Sequence, residues 1–257
     1  MKKDFSIVIP TLNSEKFLKE TILSIEKQDK SIMIECIFSD GGSTDKTMDI
    51  IKDFNQDNIR KIVILNKIGM SKALNEGFKI SNAKYLTYLN SDDKLEPNAL
   101  KIVKENFENS LDADWIIGKC ENFGKLKYLN KFLNFYKNLL MKNLNYNILC
   151  INNVISQPSV FWKYEFFKVA GSFDEKLKFN MDYDLWLRMI KISKPKILTT
   201  NLSYFRRHSN SLSHTNSFSQ FSEKFKTMKK YNKNIIIHFL HLFLSSMILF
   251  IYKITNY

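Results

Sequence analysis

Cysteine is scarce in this chain of 257 residues, and so are long apolar runs near its start. The three cysteines, Cys36, Cys120 and Cys150, are odd in number and widely spaced, without histidines at metal-ligand intervals. This pattern favours neither a disulfide framework nor a zinc site. The N-terminal apolar run stops at Pro10, which is too short for a signal peptide or a membrane span. We therefore expect a reducing, cytoplasmic environment.

Acidic residues are also few relative to basic ones. Lysine and arginine number 39 against 26 aspartate and glutamate residues, which gives a net charge of +13. Such an excess is typical of proteins with an anionic partner, such as nucleic acid, a phosphate-rich ligand or the negative face of a membrane. Charge alone does not choose among them. The apolar fraction of 44% and the length are those of one large folded domain with an appendage.

Four short apolar runs with amphipathic stretches between them predict an α/β core. The runs are rich in β-branched residues and cover residues 5–10, 35–39, 61–65 and 85–89. Helices between them are capped by polar residues: Asn13 or Ser14, Ser43 or Thr44, and Ser71. This order requires a mostly parallel, Rossmann-like sheet with helices on its faces. Ligands bind at the carboxyl ends of such strands, where the loops are PTLNSE, DGGSTD, NKIGMS and NSDD.

Two later segments combine lysines with apolar residues. Residues 125–150 predict an amphipathic helix that either covers the sheet or lies on a membrane surface. Its apolar positions are Leu126, Leu129, Leu133, Tyr136 and Leu140. Residues 235–252 form an uncharged apolar stretch at the lower length limit for a transmembrane helix. Because His238, His241, Ser245 and Tyr252 share one side, we expect this helix to lie in the membrane interface or pack on the domain rather than span.

Aspartates follow two of the predicted strands and open a later helix. Asp40 precedes two glycines, where a carboxylate can accept the imide N–H of uracil; the alternative is an ordinary glycine turn. Asp92 and Asp93 can hold a divalent cation that bridges two phosphates, or can simply start a turn. Asp182 and Asp184 either supply a general base or only complement a helix dipole.

Two polar segments complete the candidate site. The QPSVFW segment contains Gln157, and the FRRHSNSLS segment contains Arg206, Arg207 and His208. These side chains can reach an acceptor and a diphosphate, although a lone histidine is more often a surface residue.

Six segments occur in one order: IVIPTLNSEKFLKETILSI, SDGGSTDKT, GMSKALNEGF, LNSDD, QPSVFW and MDYDLWLR. In that order they closely resemble the family 2 glycosyltransferases of bacterial polysaccharide assembly, over roughly residues 4 to 210. The resemblance implies a GT-A fold, an α/β Rossmann-like, mostly parallel sheet flanked by helices. We expect a GT-A domain over residues 1–215, with a nucleotide-binding half (1–110) and an acceptor-binding half (111–215). Residues 216–257 then form a helical, membrane-associated extension.

The resemblance also assigns roles to residues. Those that bind the nucleotide-sugar are Pro10, Thr11, Asn13, Asp40, Lys72, Asp92, Asp93 and Arg207, with Asp40 on the base. Asp182 is the catalytic base, and Asp92 with His208 holds the divalent cation, Mn2+ or Mg2+. Gln157 and Trp186 contact the acceptor.

The chain departs from the family pattern at three positions. Asn90 stands where the first aspartate of D-x-D is common, so metal ligation leans more on Asp93, His208 and the phosphates. Met181 replaces a frequent glutamate before the catalytic aspartate. Leu74 stands where an arginine is common, and Lys72 can substitute for that phosphate contact.

The implied reaction is inverting transfer of a single sugar from a nucleotide-sugar, most often a UDP-sugar in this family. A Q-x-x-R-W element and several membrane spans, typical of processive synthases, are both missing from the sequence. The implied acceptor is a lipid-diphosphate-linked glycan, used in O-antigen, capsule or related polysaccharide assembly by an enzyme peripheral on the inner face of the cytoplasmic membrane. We expect no nucleic-acid partner.

Three alternatives stay open at this stage. A sugar nucleotidyltransferase would have a Gly-rich, Arg-containing loop after the first strand, where this chain has PTLNSE. A non-catalytic nucleic-acid-binding protein would explain the charge, but helix-turn-helix, RNP and zinc patterns are missing. A degenerate transferase that only binds nucleotide is made conceivable by Asn90.

Overall fold

The computed structural model describes residues 2–65, 69–124, 127–208 and 217–254. Its strands are β1 (Lys3–Thr11), β2 (Ile34–Asp40), β3 (Ile59–Leu65), β4 (Ala83–Tyr88), β5 (Lys94–Leu95), β6 (Trp115–Gly124), β7 (Val160–Lys163) and β8 (Lys196–Arg207). Its helices are α1 (Leu18–Glu26), α2 (Thr47–Asp53), α3 (Met70–Lys79), α4 (Ala99–Glu108), α5 (Lys127–Met141), α6 (Tyr146–Ile151), α7 (Tyr164–Ala170), α8 (Met181–Ile192), α9 (Ser217–Tyr231) and α10 (Ile235–Ile254). The strands form one sheet in the order β3-β2-β1-β4-β7-β6-β8-β5.

The first half of the sheet follows the prediction. Strands β1 to β4 are mutually parallel and lie at the four predicted apolar runs, with α1, α2 and α3 as crossovers. All seven residues of β2 are buried, because helices cover both faces of a parallel sheet. The carboxyl ends of β1 and β2 therefore lie side by side, with Thr11 paired to Asp40.

The second half of the sheet is mixed. Strand β7 is antiparallel to both β4 and β6, and the short β5 is antiparallel to β8, whereas β6 and β8 are parallel. The alternating βα pattern in the sequence fades after about residue 110, so these antiparallel strands were not predicted. The result is a mixed α/β sheet with flanking helices.

Two helix starts differ in detail from the predicted caps. Ser14 does precede α1, where its backbone oxygen accepts from the N–H groups of Phe17 (3.2 Å) and Leu18 (3.1 Å). Ser71, however, lies inside α3, which begins one residue earlier. Its buried hydroxyl donates to the backbone oxygen of Leu177 (3.0 Å), so it joins α3 to the segment before α8. Residues 66–68 of the NKIGMS loop lie outside the described part of the chain.

The sheet separates two buried clusters. Phe5, Ile7 and Ile9 of β1 point into one cluster, and Val8 points into the other, as alternation along a strand requires. The Val8 cluster also contains Met228 of α9 and Ile237 of α10, so both C-terminal helices pack on the same core as the sheet.

The basic 125–150 segment forms two helices rather than one. Helix α5 ends at Met141, and Asn145 caps α6 by accepting a hydrogen bond from the N–H of Ile148 (3.0 Å). Leu133, Tyr136 and Leu140 are half-buried, as expected for the inner face. The outer face exposes Phe132, Phe135 and Leu139. Leu126 lies outside the described residues, and so does the side chain of Leu129.

Helix α10 packs with its polar stripe facing the protein. His241 is fully buried, and its Nδ1–H donates to the backbone oxygen of Cys150 (2.8 Å). Ser245 is also buried, whereas Phe239, Phe243 and Phe250 on the opposite side are exposed. Within the described residues, no helix has the length and apolar character needed to cross a membrane. The side chain of Tyr252 lies outside the description.

Candidate active site

The loop after β2 is built around Asp40, which is fully buried. Its Oδ1 accepts hydrogen bonds from the backbone N–H groups of Gly42 (2.9 Å) and Ser43 (2.8 Å). Its Oδ2 accepts from the hydroxyls of Thr11 (2.9 Å) and Ser43 (2.6 Å). Gly42 has a φ of 90°, a conformation that glycine adopts without strain. Asp40 therefore fixes this loop and joins it to the end of β1.

These hydrogen bonds keep Asp40 ionised, and they limit the access of a ligand to its carboxylate. Burial by itself raises the pKa of the carboxyl, but the hydrogen bonds from Ser43, Thr11 and Gly42 outweigh it and hold the pKa below its ordinary value. A carboxylate has about four lone-pair directions, and the chain's own donors already occupy them. A nucleobase N–H therefore reaches Asp40 only by replacing one of these donors.

Asn13 holds the same loop from the outside. This exposed residue has a φ of 48°, and its Oδ1 accepts from the N–H of Thr44 (2.9 Å) while its own N–H donates to Ser43 Oγ (2.9 Å). Pro10 is half-buried near the end of β1. The structure thus brings Pro10, Thr11 and Asn13 together at the carboxyl ends of β1 and β2.

A second pair of strand ends brings Asp92 and His208 into contact. Asp92 follows β4, His208 follows β8, and the Nε2 of His208 lies 2.9 Å from Asp92 Oδ2. The imidazole also packs on Phe17, with ring centroids 4.9 Å apart. Both side chains are partly exposed, 28% for Asp92 and 19% for His208, so a ligand can reach them. On the same loop, the buried Oδ1 of Asn90 has no hydrogen-bond partner in the described part of the chain.

Asp93, in contrast, supports this loop from inside. It is fully buried, and its Oδ1 accepts from the backbone N–H of Arg206 (2.9 Å) while its Oδ2 accepts from Asn90 Nδ2 (3.2 Å). Burial and the neighbouring charge of Asp92 raise the pKa of Asp93 well above its ordinary value. Arg206 completes the clamp, since its guanidinium binds the backbone oxygen of Asp92 (2.9 Å) and the carboxylate of Glu20 (2.8 Å). The prediction that Asp93 contacts the nucleotide-sugar therefore needs correction, because its carboxylate is already enclosed.

Helix α1 connects the two pairs of strand ends. The hydroxyls of Ser14 and Ser91 lie 2.8 Å apart. The hydroxyl of Thr21 lies within 2.9 Å of the backbone oxygen of Ser91 and 2.8 Å of that of Asp93. The loops after β1, β2, β4 and β8 thus form one continuous edge.

Asp182 opens α8 beside this edge. It is half-buried, and burial raises the pKa of its carboxyl to about 6, although the charges of Lys137 and Lys224 act in the opposite direction. Burial and then the charges of Asp182 and Asp93 raise the pKa of Tyr88, at the end of β4. Tyr88 therefore lies within electrostatic range of both the α8 aspartate and the loop after β4. A carboxylate that ionises near neutral pH is suited to accept a proton.

Trp186 does not belong to this edge. Its side chain is fully buried, and its ring lies 6.0 Å from that of Trp115 and 5.6 Å from that of Trp162. The sequence predicted contact with the acceptor, but the ring lies in the core, where it packs against Trp115 and Trp162.

Three other predicted residues occupy different places. Gln157 is buried under the loop after β4, where its Nε2 donates to the backbone oxygen of Tyr88 (2.6 Å), so it supports the site rather than facing an acceptor. Lys72 is exposed in the first turn of α3 and contacts none of the other predicted residues among those described. Arg207 is buried at the end of β8, and its charge lowers the pKa of Lys137 on α5.

The described residues include no cluster of three or more histidine, cysteine or acidic side chains arranged for a metal. Asp92 and His208 nevertheless offer one carboxylate and one imidazole in contact. The loop of Asp92 also carries the Oδ1 of Asn90, which has no hydrogen-bond partner among the residues that the structure describes. Mg2+ and Mn2+ in phosphate-transfer sites take one or two protein ligands and complete their shell with phosphate and water. The donor set fits such a cation.

Comparison with known proteins decides the family. Residues 6–164 match the profile described as Glycosyl transferase family 2. The chain belongs to this family. Enzymes of this family generally use a divalent cation. The chain spans less than two thirds of the length of several relatives that it matches, for example 64% and 59% of two of them.

Relatives and solved structures agree. The chain is 31% identical over 196 residues to an uncharacterized glycosyltransferase of Methanocaldococcus jannaschii, covering 72% of this chain and 64% of that protein. It is 27% identical over 169 residues to the GalNAc(5)-diNAcBac-PP-undecaprenol beta-1,3-glucosyltransferase of Campylobacter jejuni, covering 55% and 54%. The fold is similar to S. aureus TarS 1–349 in complex with UDP-GlcNAc, with a TM-score of 0.69 and 18% identity over 91% of this chain and 69% of that one. The GT-A-like α/β fold is thereby confirmed.

Proposed function

We propose that this glycosyltransferase transfers a single sugar, with inversion, from a UDP-sugar to a lipid-diphosphate-linked glycan in surface polysaccharide assembly. The observation that carries the proposal is that Asp182, whose pKa burial raises to about 6, acts electrostatically on Tyr88 at the end of β4, the strand that precedes the loop in which Asp92 contacts His208. A single displacement needs two parts. One is a carboxylate that can accept a proton, and the other is a separate group, here Asp92 with His208, that can bind the diphosphate.

Asp182 acts as the base in this reaction. It removes the proton of an acceptor hydroxyl while that oxygen forms a bond to C1 of the donor sugar. The bond between C1 and the phosphate oxygen breaks at the same time, and the nucleoside diphosphate leaves with the electron pair. Attack from the face opposite the leaving group inverts C1. Retaining glycoside hydrolases, in contrast, use a second carboxylate as nucleophile close to the first.

The donor nucleotide occupies the edge formed by β1 and β2. Pro10, Thr11 and Asn13 line it, and the loop fixed by Asp40 supplies backbone groups that can approach the base closely. The base reaches Asp40 by displacing the hydroxyl of Ser43, which can rotate. The UDP-GlcNAc complex of TarS supports a UDP-sugar as donor, because that protein has the same fold.

Asp92 and His208 hold the divalent cation, with Asn90 as a third candidate oxygen donor. Bound there, Mn2+ or Mg2+ supplies positive charge to the leaving diphosphate. Arg206 positions this pair by binding the backbone of Asp92 through Nε and stacking on Phe17, 4.4 Å from the ring centroid.

The acceptor brings the enzyme to a membrane. The relative from Campylobacter jejuni is named for a PP-undecaprenol substrate, which supports a lipid-diphosphate carrier here. Helix α10 exposes an apolar face, and Lys229, Lys230 and Lys233 precede it, a combination that suits an anionic lipid surface. We place the enzyme on the inner face of the cytoplasmic membrane, where nucleotide-sugars are made.

The proposed function is tested with purified protein, a panel of UDP-, GDP- and dTDP-sugars, and Mn2+ or EDTA. Release of nucleoside diphosphate is read with and without a prenyl-diphosphate-linked glycan. We expect release from one UDP-sugar that requires Mn2+ and is stimulated by the acceptor. Asp182→Asn and Asp92→Ala should each reduce it by about 100-fold or more.

Asp49→Asn is the matched control, because Asp49 is an exposed aspartate on α2. It should leave the rate unchanged. Pyrophosphate release from a sugar phosphate and a nucleoside triphosphate would instead identify a nucleotidyltransferase. Unchanged turnover in Asp182→Asn would remove Asp182 as the base.

A further inference from the structure

Two lysines from different helices flank Asp182. Lys137 lies on α5 and Lys224 on α9, and both are half-buried. Lys137 Nζ donates to the hydroxyl of Ser156 (3.1 Å), and Lys224 Nζ donates to the Oδ1 of Asn152 (3.0 Å). The two acceptors, Ser156 and Asn152, both lie on the segment between α6 and β7. Both ammonium groups are thus held by neutral oxygen atoms of one segment.

Neither lysine has an acidic partner within 4.0 Å among the residues that the structure describes. Burial and the charge of Lys137 together lower the pKa of Lys224 to about 8. Burial also lowers the pKa of Lys137, and the charge of Arg207 adds to this. The negative charge of Asp182 raises the pKa of both lysines, but it does not outweigh burial and the positive charges nearby.

Such an arrangement is costly unless an anion completes it. Half-buried ammonium groups that repel one another raise the free energy of the folded protein, and a bound phosphate removes the repulsion. Lys224 also lies 5.8 Å from the ring centroid of Tyr183 and 5.9 Å from that of Phe221, so the site combines cations with an aromatic wall. This combination suits a phosphate that carries an apolar or sugar substituent.

The place of the lysines decides which substrate they meet. If Asp182 takes the proton of the attacking hydroxyl, that hydroxyl must lie within hydrogen-bond reach of it. The donor nucleotide lies instead against the loops after β1 and β2, and its diphosphate lies near Asp92 and His208. Cations next to Asp182 are therefore next to the acceptor.

We propose that Lys137 and Lys224 form a binding site for the phosphate groups of the acceptor, separate from the site of the donor diphosphate. This inference rests on the proposed role of Asp182. It means that the enzyme selects an acceptor whose attacking hydroxyl lies on the sugar close to the phosphate, because base and cations are neighbours. A neutral glycoside with the same sugar would bind weakly.

The test measures equilibrium binding of geranyl diphosphate, geraniol and inorganic pyrophosphate by calorimetry. Saturating UDP and Mg2+ are present, so that the donor diphosphate site is filled. We expect geranyl diphosphate to bind and geraniol to bind at least about tenfold more weakly. Lys137→Met and Lys224→Met should each raise the Kd for geranyl diphosphate about tenfold or more, as expected for loss of a charge-assisted contact. Affinity for UDP should stay within about twofold.

Lys226→Met, a change of an exposed lysine on α9, is the matched control and should bind geranyl diphosphate like the parent. Lys224→Arg keeps the charge and should retain most of the binding. Thermal unfolding checks the fold of each variant.

Three results would overturn the inference. The first is that both methionine variants bind geranyl diphosphate as tightly as the parent does, and the second is that they lose affinity for UDP and not for geranyl diphosphate. The third is that pyrophosphate binds as tightly as geranyl diphosphate and that the variants do not change its affinity. UDP-sugar hydrolysis, with water as acceptor, reports on the proposed function separately. If hydrolysis persists and depends on Asp182 while lysine variants bind normally, only the acceptor-phosphate site is refuted.

Discussion

Asp182 combines partial burial with ionisation close to neutral pH, and this sets the pH dependence of the enzyme. The base must be deprotonated to act, and burial raises its pKa to about 6. We expect kcat/KM to be level above that pH and to fall about tenfold for each pH unit below it. The measurement is nucleoside diphosphate release between pH 4.5 and 8.5 at fixed Mn2+. A profile level down to pH 4.5 would contradict the assignment.

Stability measurements with Asp182→Asn supply the control. The folded pKa of Asp182 exceeds its ordinary value of 3.8, so the folded state is favoured when the carboxyl is protonated. That contribution is complete below pH 3.8 and is lost as the pH rises through about 6. The asparagine variant should therefore unfold at the same or a higher temperature than the parent at pH 8, with a gain on the order of 1 kcal/mol. Lost activity would then not reflect a damaged fold.

The positions of residues on strands and helices could be predicted from the sequence where they depend on local pattern. Asp182 was placed correctly at the start of a helix, and Asp40 and Asp92 at strand ends, because strand and helix limits are local features. The enclosure of Asp93 was not predictable, since its partner Arg206 is 113 residues away in sequence. The burial of Trp186 depends in the same way on Trp115 and Trp162, from distant strands.

At the scale of elements, the close contact between α3 and β1 depends on Gly77. A Cβ added there would lie 2.6 Å from Cγ1 of Val8, which is buried in β1 and stiff because it is β-branched. We expect Gly77→Ala to lower the free energy of unfolding by about 1–3 kcal/mol, even though alanine is the better helix former. Urea unfolding followed by circular dichroism measures this.

Gly69→Ala is the matched control, because an added Cβ there meets nothing within 4 Å and the φ of –61° suits any residue. It should change stability by less than about 0.5 kcal/mol. The double variant with Val8→Ala should recover part of the loss, since it removes the clashing methyl groups. Equal stabilities of Gly77→Ala and the parent would show that α3 can move away from the sheet at little cost.

The sheet itself shows the limit of prediction at this scale. Four parallel strands could be identified because each is a short apolar run, and because helices follow β1, β2 and β3. Strand β5 has only two residues and β7 only four, and both pair in the antiparallel sense with strands far away in sequence. Runs this short carry no period of their own, so their direction is set by tertiary contacts.

At the scale of the whole molecule, α10 is unusual for an amphipathic helix, because its polar stripe faces the protein and an apolar face is exposed. Its apolar composition and its polar stripe were visible in the sequence, but the side that packs on the domain was not. His241 turns inward and donates its N–H to the backbone oxygen of Cys150, which also accepts from the hydroxyl of Tyr183. Burial lowers the pKa of His241 to about 4, which keeps it neutral. Phe239, Phe243 and Phe250 are left on one outer face, 59% to 68% exposed. An apolar face of this kind on a soluble surface marks an interaction site.

We expect this face to bind anionic membranes. Burying a phenylalanine in the lipid interface contributes about 1.5–3 kcal/mol, so Phe239→Ser with Phe243→Ser should weaken binding to phosphatidylglycerol vesicles at least about tenfold. Binding should also fall as salt rises, because Lys229 and Lys233 shortly precede α10 in the sequence. Co-sedimentation with vesicles of defined composition measures both effects.

Val169→Ser on α7 is the matched control, since Val169 is 70% exposed but lies away from α10 in sequence. It should bind vesicles like the parent. Hydrolysis of the UDP-sugar in solution should be equal in all three proteins, because the active-site edge is built from β1, β2, β4 and β8. The contrary result is that the parent does not bind vesicles but forms a dimer, and that the two phenylalanine substitutions dissociate this dimer. The exposed face of α10 would then be covered by a second copy of the chain. Transfer to a lipid-linked acceptor would then need another way to reach the membrane, and the phenylalanine changes would leave the rate with vesicle-bound acceptor unaltered.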